Sequence, residues 1–252
     1  MDLAELMTEI IRREVVEAGG ATPYRTPIVG FSPAADPRFA DLKRIAEPTH
    51  YLPDDVLPGA RAVVSFFLPF GAAVVEANAR ERSKVAREWP IAYLETNALI
   101  GRITDRLIDA LSEWGVCAAA IPATHTYDPE TLVCRWSHRS AAVIAGIASF
   151  GLHRMAITDA GCAGRFGTVI IDVELDWETP PAEERCLSFY DGSCSECISR
   201  CPIDALSMGG AIDKQRCNRR LLALAKTFDS EELADACGKC AIGPCSLKSA
   251  VR

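Results

Sequence analysis

The stretch "CSECISRCPIDAL", Cys194 to Leu206, places three cysteines within eight residues and closes them with a proline. It then runs into an apolar helical start, and the question is what its thiols hold. Eleven cysteines occur in 252 residues, and eight of them (Cys186, Cys194, Cys197, Cys201, Cys217, Cys237, Cys240 and Cys245) lie in the tail. The first segment, "MDLAELMTEIIRREVVEAGG", is acidic and amphipathic and lacks the basic and apolar regions of a secretory signal; Arg12 and Arg13 sit inside its helical pattern. The longest apolar run, Ala62 to Val75, is interrupted by Pro69 and Gly71 and is too short to span a bilayer. These features predict a cytoplasmic protein without a membrane segment. In a reducing compartment, clustered cysteines are metal ligands or catalytic groups more often than disulfides.

The spacing C-x2-C-x3-C-P matches the last three cysteines of the bacterial ferredoxin run, whose final cysteine ligates the other of two clusters. That logic predicts one [4Fe-4S] cluster on Cys186, Cys194, Cys197 and Cys245, and a second on Cys201, Cys217, Cys237 and Cys240. Structural zinc on paired C-x2-C motifs is the competing use of eight thiolates. Asp191 competes with Cys186 for one position, but cluster iron favours soft thiolate over carboxylate. Cys117, Cys134 and Cys162 fall outside the tail, and Cys117, in an apolar run, reads as core packing.

The chain carries a net charge of −7, and the whole deficit lies before residue 183, because the last 70 residues hold ten acids and ten bases. That surface makes nucleic acid an unlikely partner. "DWETPPAEER", residues 176–185, divides the chain into a larger unit, 1–182, and a cysteine-rich unit, 183–252. The larger unit shows a helix to about residue 18, strands at "PIVGF" and "ARAVVSFFLPF", and a helical region over roughly 73–114 with Leu99, Ile103, Leu107 and Leu111 as one buried stripe. A strand at "CAAAIPAT", a helix at "SAAVIAGIASF" and strands at "RMAIT" and "GTVIIDVEL" follow. Uneven interleaving predicts an α+β sandwich with a largely antiparallel or mixed sheet.

"GARAVVSFFLPF", then "WSHRSAAVIAGIASFGLHRMAITDAGCAGRFGTVIID", then the two-cluster tail resemble, in order, the epoxyqueuosine reductases and the related reductive dehalogenases over roughly residues 27–245. The resemblance implies a nitroreductase-like α/β sandwich domain that binds cobalamin base-off, followed by a bacterial-ferredoxin-like domain whose two [4Fe-4S] clusters reduce it. Cofactor contacts are then expected at Ser137, His138, Arg139, Gly146, Phe150, Gly151, Arg165 and Gly167. Read from the residues alone, Ser137 is equally an N-cap, Gly146 and Gly151 a helix end, and "GCAGRFG" a turn with an exposed arginine. The acidic segment that precedes the alanine-glycine motif in epoxyqueuosine reductases has no counterpart at "LVCRW", which leaves Tyr127 and Asp128 as the nearest proton donors. His153, His138 and His125 are further candidates. A ferredoxin or flavodoxin is the expected electron donor, and a small molecule the expected substrate. An activator of a partner redox or corrinoid protein, and a reductase acting on tRNA, are the alternatives.

Overall fold

The computed structural model describes residues 2–122, 127–228 and 233–251. At its centre, β2 (Ala62–Pro69) reads AVVSFFLP and is buried at every position. Both its faces are covered, and successive side chains point to opposite sides. Val64, Phe66 and Leu68 join one apolar cluster with α1 (Leu3–Val16) and α5 (Glu88–Ser112). Val63 joins another with Phe39 of α2 (Pro37–Ile45), Trp136, and Ala141 and Ile144 of α6 (His138–Ile144).

The sheet runs β1–β2–β6–β3, with β1 (Ile28–Pro33), β3 (Ala118–Ala120) and β6 (Gly164–Ile171). Every pairing is antiparallel. Helices cover both faces of an antiparallel sheet, which is the α+β arrangement that the uneven interleaving predicts. Leu99, Ile103, Leu107 and Leu111 of α5 are completely buried, so the four-residue period marks a real core stripe.

Two expected elements differ. The helical region splits into α4 (Ala72–Ala79) and α5, because "RERSKVA" offers no continuous apolar stripe between them; α3 (Pro53–Val56) is a single turn earlier in the chain. Pro90 falls in the first turn of α5, where its missing N–H has no intrahelical partner to lose. The helix at "SAAVIAGIASF" stops at Ile144, and the chain reverses into a short hairpin of β4 (Ser149–Phe150) and β5 (Ala156–Ile157). Part of the strand expected at "CAAAIPAT" lies outside the described residues.

From residue 174 to 186 the chain has no regular structure, and the tail follows with α7 (Leu187–Tyr190), α8 (Glu196–Arg200) and α9 (Lys214–Ala225). The tail shares its core with the larger unit: Phe70, Trp89, Leu152 and Ile157 pack in one cluster with Cys186, Cys197, Cys201, Ala236 and Ile242. Among the described residues, no helix is long and apolar enough to cross a membrane.

Candidate metal centre and adjoining cavity

Cys197 sits on α8 and Cys201 caps its C-terminal end, so one short helix sends thiols in two directions. Cys186, Cys194, Cys197 and Cys245 line one small cavity, which Cys240 also borders. Burial pushes the Cys197 thiol up to about 12, helped by the nearby charges of Cys245, Cys186 and Cys194. Cys201, Cys217, Cys237 and Cys240 line a second cavity of about 220 Å³. There burial raises Cys217 to about 11, with Cys237 and Cys201 adding to it, and raises Cys240 still further. Thiols that oppose one another's ionisation in this way become stable thiolates only around bound cations.

Among the described residues, the Cys, His, Asp and Glu ligand atoms that close to within 4.8 Å of one another in threes are those of His153, Cys162 and Cys245. No three tail thiols come that close. A tetrahedral zinc-thiolate site, with bonds of about 2.3 Å, needs sulfurs roughly 3.8 Å apart.

Local sequence explains how the second group is held. Gly238 has φ +68°, and a Cβ there would lie 2.0 Å from the Trp89 ring, so only glycine lets "CGKC" turn against that indole. The buried Lys239 amine donates to the Asn78 backbone oxygen, to Asn78 Oδ1 (2.9 Å) and to the Glu81 carbonyl (2.8 Å). Arg25 clamps the tail, donating to the carbonyls of Phe70, Leu247 and Ala160 at 2.8, 2.8 and 2.7 Å. Nothing in the sequence marks Arg25 or Lys239 for these tasks, since both act on backbone carbonyls that only the fold brings near.

"GCAGRFG" is a seam between the two parts of the chain. The Cys162 N–H donates to the Cys245 carbonyl at 2.9 Å and the Ala163 N–H to the Ser246 carbonyl at 3.0 Å. Gly161, at φ +84°, has no room for a Cβ beside the Ser246 oxygen. Arg165 is half-buried on β6 with its guanidinium 4.3 Å from the Tyr93 ring centroid, not exposed on a turn.

Beside the second thiol group opens a cavity of about 510 Å³ lined by Tyr127, Ser137, His138, Arg139 and Arg165, among others. Tyr93, Met155, Arg165, Leu221 and Asp235 line both it and the second thiol cavity. Ser137 does cap α6, accepting from the Ser140 N–H, while also facing the cavity. Trp136 Nε1–H donates to Thr168 Oγ1 (2.9 Å), which lies 2.8 Å from His138 Nδ1, and His138 Nε2 lies 3.3 Å from the Pro122 carbonyl. The carbonyl can only accept, so the ring proton sits on Nε2 and Nδ1 accepts from Thr168. Burial drives His138 down to about 4, keeping it neutral. Arg139 opens onto the cavity; the protein around it and Arg165 lowers both pKa values by desolvation, and for Arg165 the charge of Arg139 adds to that. Burial raises the Tyr127 hydroxyl, and the charge of Asp235 adds to it.

Other expected residues serve elsewhere. A Cβ on Gly146 (φ +75°) would meet the Pro180 carbonyl, on Gly151 the His153 ring, and on Gly167 the Phe66 ring, so these glycines admit close approach of the chain's own atoms. Phe150 packs against the apolar cluster of Phe67 and Ile147. Asp128 is exposed, and its carboxylate accepts from Glu130 N–H and from the Thr131 N–H and hydroxyl, which hold it below the usual carboxylate range. His153 is buried against Cys245, away from the cavity. His125 lies outside the described residues. Cys117 is exposed rather than core, facing Asp172, whereas Cys162 is buried among the tail thiols. Asp191 is exposed and accepts from the Ser193 N–H in its own turn, while Cys186 is buried with its fellow thiols.

No family model matches the chain. An epoxyqueuosine reductase of Aliivibrio fischeri is 29% identical over 66% of this chain and 42% of its own length. One from Bacillus cereus is 26% identical over 74% of this chain and 46% of its own. The chain is a relative of the epoxyqueuosine reductases. It spans less than half the length of these two curated relatives. A solved epoxyqueuosine reductase from Bacillus subtilis, caught with its catalytic loop swung out of the active site, superposes with TM-score 0.61 at 19% identity, over 97% of this chain and 66% of its own. A catabolic reductive dehalogenase in complex with 3-bromo-4-hydroxybenzoic acid superposes with TM-score 0.61 at 13% identity, over 98% of this chain and 37% of its own. An epoxyqueuosine reductase solved with an epoxyqueuosine-modified tRNA-Tyr stem loop has TM-score 0.56 at 18% identity, covering 88% of this chain and 58% of its own. These superpositions carry the fold, and the curated relatives carry the kinship to epoxyqueuosine reductases.

Proposed function

We propose that this epoxyqueuosine reductase relative holds two [4Fe-4S] clusters, one on Cys186, Cys194, Cys197 and Cys245 and one on Cys201, Cys217, Cys237 and Cys240, and delivers their electrons to a cobalamin seated in the adjoining cavity. In this reading residues 183–252 form a ferredoxin-like unit and residues 1–182 a nitroreductase-like one. The observation that carries it is the common wall: residues lining the second thiol group also line the cavity, so electrons need cross only one layer of side chains.

The thiols fit clusters by number, softness and spacing. The cavity fits a corrinoid in the chemistry of its walls, because Arg139 and Arg165 among its lining residues complement an occupant rich in carbonyl or phosphate oxygens. Ser137 and neutral His138 add hydrogen-bonding groups to the same wall. Cobalamin, when bound, supplies a strong low-potential reductant assembled from single electrons. The chain's own share is to seat the ring, exclude water and place a proton. Tyr127 lines the cavity and keeps its O–H at neutral pH, so it takes the donor role in preference to the ionised Asp128.

Net charge does not decide against nucleic acid, because α9 and its last turn carry Lys214, Arg216, Arg219, Arg220 and Lys226, and Lys214 lines the cavity mouth. A tRNA substrate therefore stands beside a small molecule as a second reading. The direct test is anaerobic titration of cluster-loaded protein with hydroxocobalamin, followed by visible absorption. A saturable spectral change near one equivalent is expected, and a spectrum equal to the sum of its parts would remove cobalamin from the proposal.

A further inference from the structure

His153 Nδ1 accepts the Met155 N–H at 3.1 Å, so the ring proton resides on Nε2. That Nε2 lies 3.3 Å from Cys245 Sγ. Cys162 Sγ lies 3.9 Å from the same sulfur and 3.7 Å from His153 Nε2. Two side chains of the larger unit thus converge on one tail sulfur.

Their convergence is built into the backbone. Cys162 is fixed by its N–H bond to the Cys245 carbonyl, which needs the positive φ of Gly161. The His153 ring occupies space that a Cβ on Gly151 would take, 2.8 Å from Cε1. Both groups are buried, so water does not compete for the sulfur.

We propose that His153 and Cys162 form a two-donor cradle on Cys245 that raises the reduction potential of the cluster bound there, an inference that rests on the cluster reading above. A hydrogen bond to a ligand thiolate withdraws electron density from sulfur and favours the reduced, more negative cluster. Cys162 Sγ also lies 3.9 Å from the Ala241 carbonyl, but Cys245 is the one tail sulfur that both donors reach, so the cradle separates the potentials of two clusters that share the same ligand type. The cluster farther from the cavity becomes the readier acceptor from an external one-electron donor, and the larger unit sets that preference.

The test compares cluster-loaded wild type with His153→Leu, Cys162→Ala, His153→Gln and Cys162→Ser by iron and sulfide analysis and by potentiometric titration followed by electron paramagnetic resonance. Wild type is expected to show two clusters; fewer would overturn the cluster reading itself. With two clusters present, His153→Leu and Cys162→Ala are expected to shift one midpoint to more negative potential and leave the other in place. His153→Gln and Cys162→Ser, which keep a donor, should restore most of the shift. Should His153→Leu fail to load, Gly151→Ala displaces the ring while keeping the imidazole and is expected to give the same one-sided shift. Unchanged midpoints in loaded variants, or equal shifts of both, would overturn the cradle while leaving the clusters standing.

Discussion

Arg220 directs its Nε–H at Cys237 Sγ across 3.2 Å, and its Nη2 at the Ser83 carbonyl. One guanidinium on α9 therefore ties a tail thiol to the segment joining α4 and α5. Hydrogen bonds to charged groups contribute about 1.5–3 kcal/mol. Arg220→Met should destabilise the cluster-loaded protein by an amount in that range and lower the midpoint of the Cys237 cluster alone, as read by denaturation and by redox titration.

Crossed ligation gives a mutational signature. Cys201→Ala should damage the cluster of Cys217, Cys237 and Cys240, and Cys194→Ala the cluster that includes Cys245. Redox-resolved spectroscopy distinguishes the survivors. If both variants lose the same cluster, the ligand sets are wrong.

The stripe on α5 predicts a large packing penalty. Leu107 is completely buried, so Leu107→Ala should cost about 2–5 kcal/mol in chemical denaturation. Leu222 on α9 is 38% exposed, and Leu222→Ala should cost well under half as much.

His138 supplies a pH dependence. Its folded pKa, about 4, lies below the ordinary 6.5, so the folded state binds fewer protons than the unfolded one between those values. Its contribution is fully present above pH 6.5 and is lost as pH falls toward 4. His138→Gln should flatten the decline in stability over that window relative to wild type, while leaving the carboxylate-driven loss at lower pH. Parallel curves for the two proteins would contradict it.

The α5 stripe was legible because it rests on a local period of about four from Leu99 to Leu111, and β2 because it is a continuous apolar run, while the antiparallel sheet followed from the uneven interleaving of helices and strands. The tail cysteines stood out as candidate ligands because ligand spacing along a chain is itself a pattern. What surrounds them was not. Cys162 meets Cys245 from 83 residues away, and Arg25 meets Leu247 from 222; no periodicity reports such pairs. The glycines are half legible for a related reason: Gly146, Gly151 and Gly167 each mark a close approach, and only the fold shows that Pro180, His153 and Phe66 are among the approaching groups. His153 was singled out as chemically active, yet only the fold shows that it faces a thiol and not the cavity.

Metal and sulfide content of anaerobically prepared protein tests the central claim most directly. Eight thiolates in two groups of four predict close to eight iron and eight acid-labile sulfide per chain, with little zinc. Stoichiometric zinc without sulfide would contradict the relay.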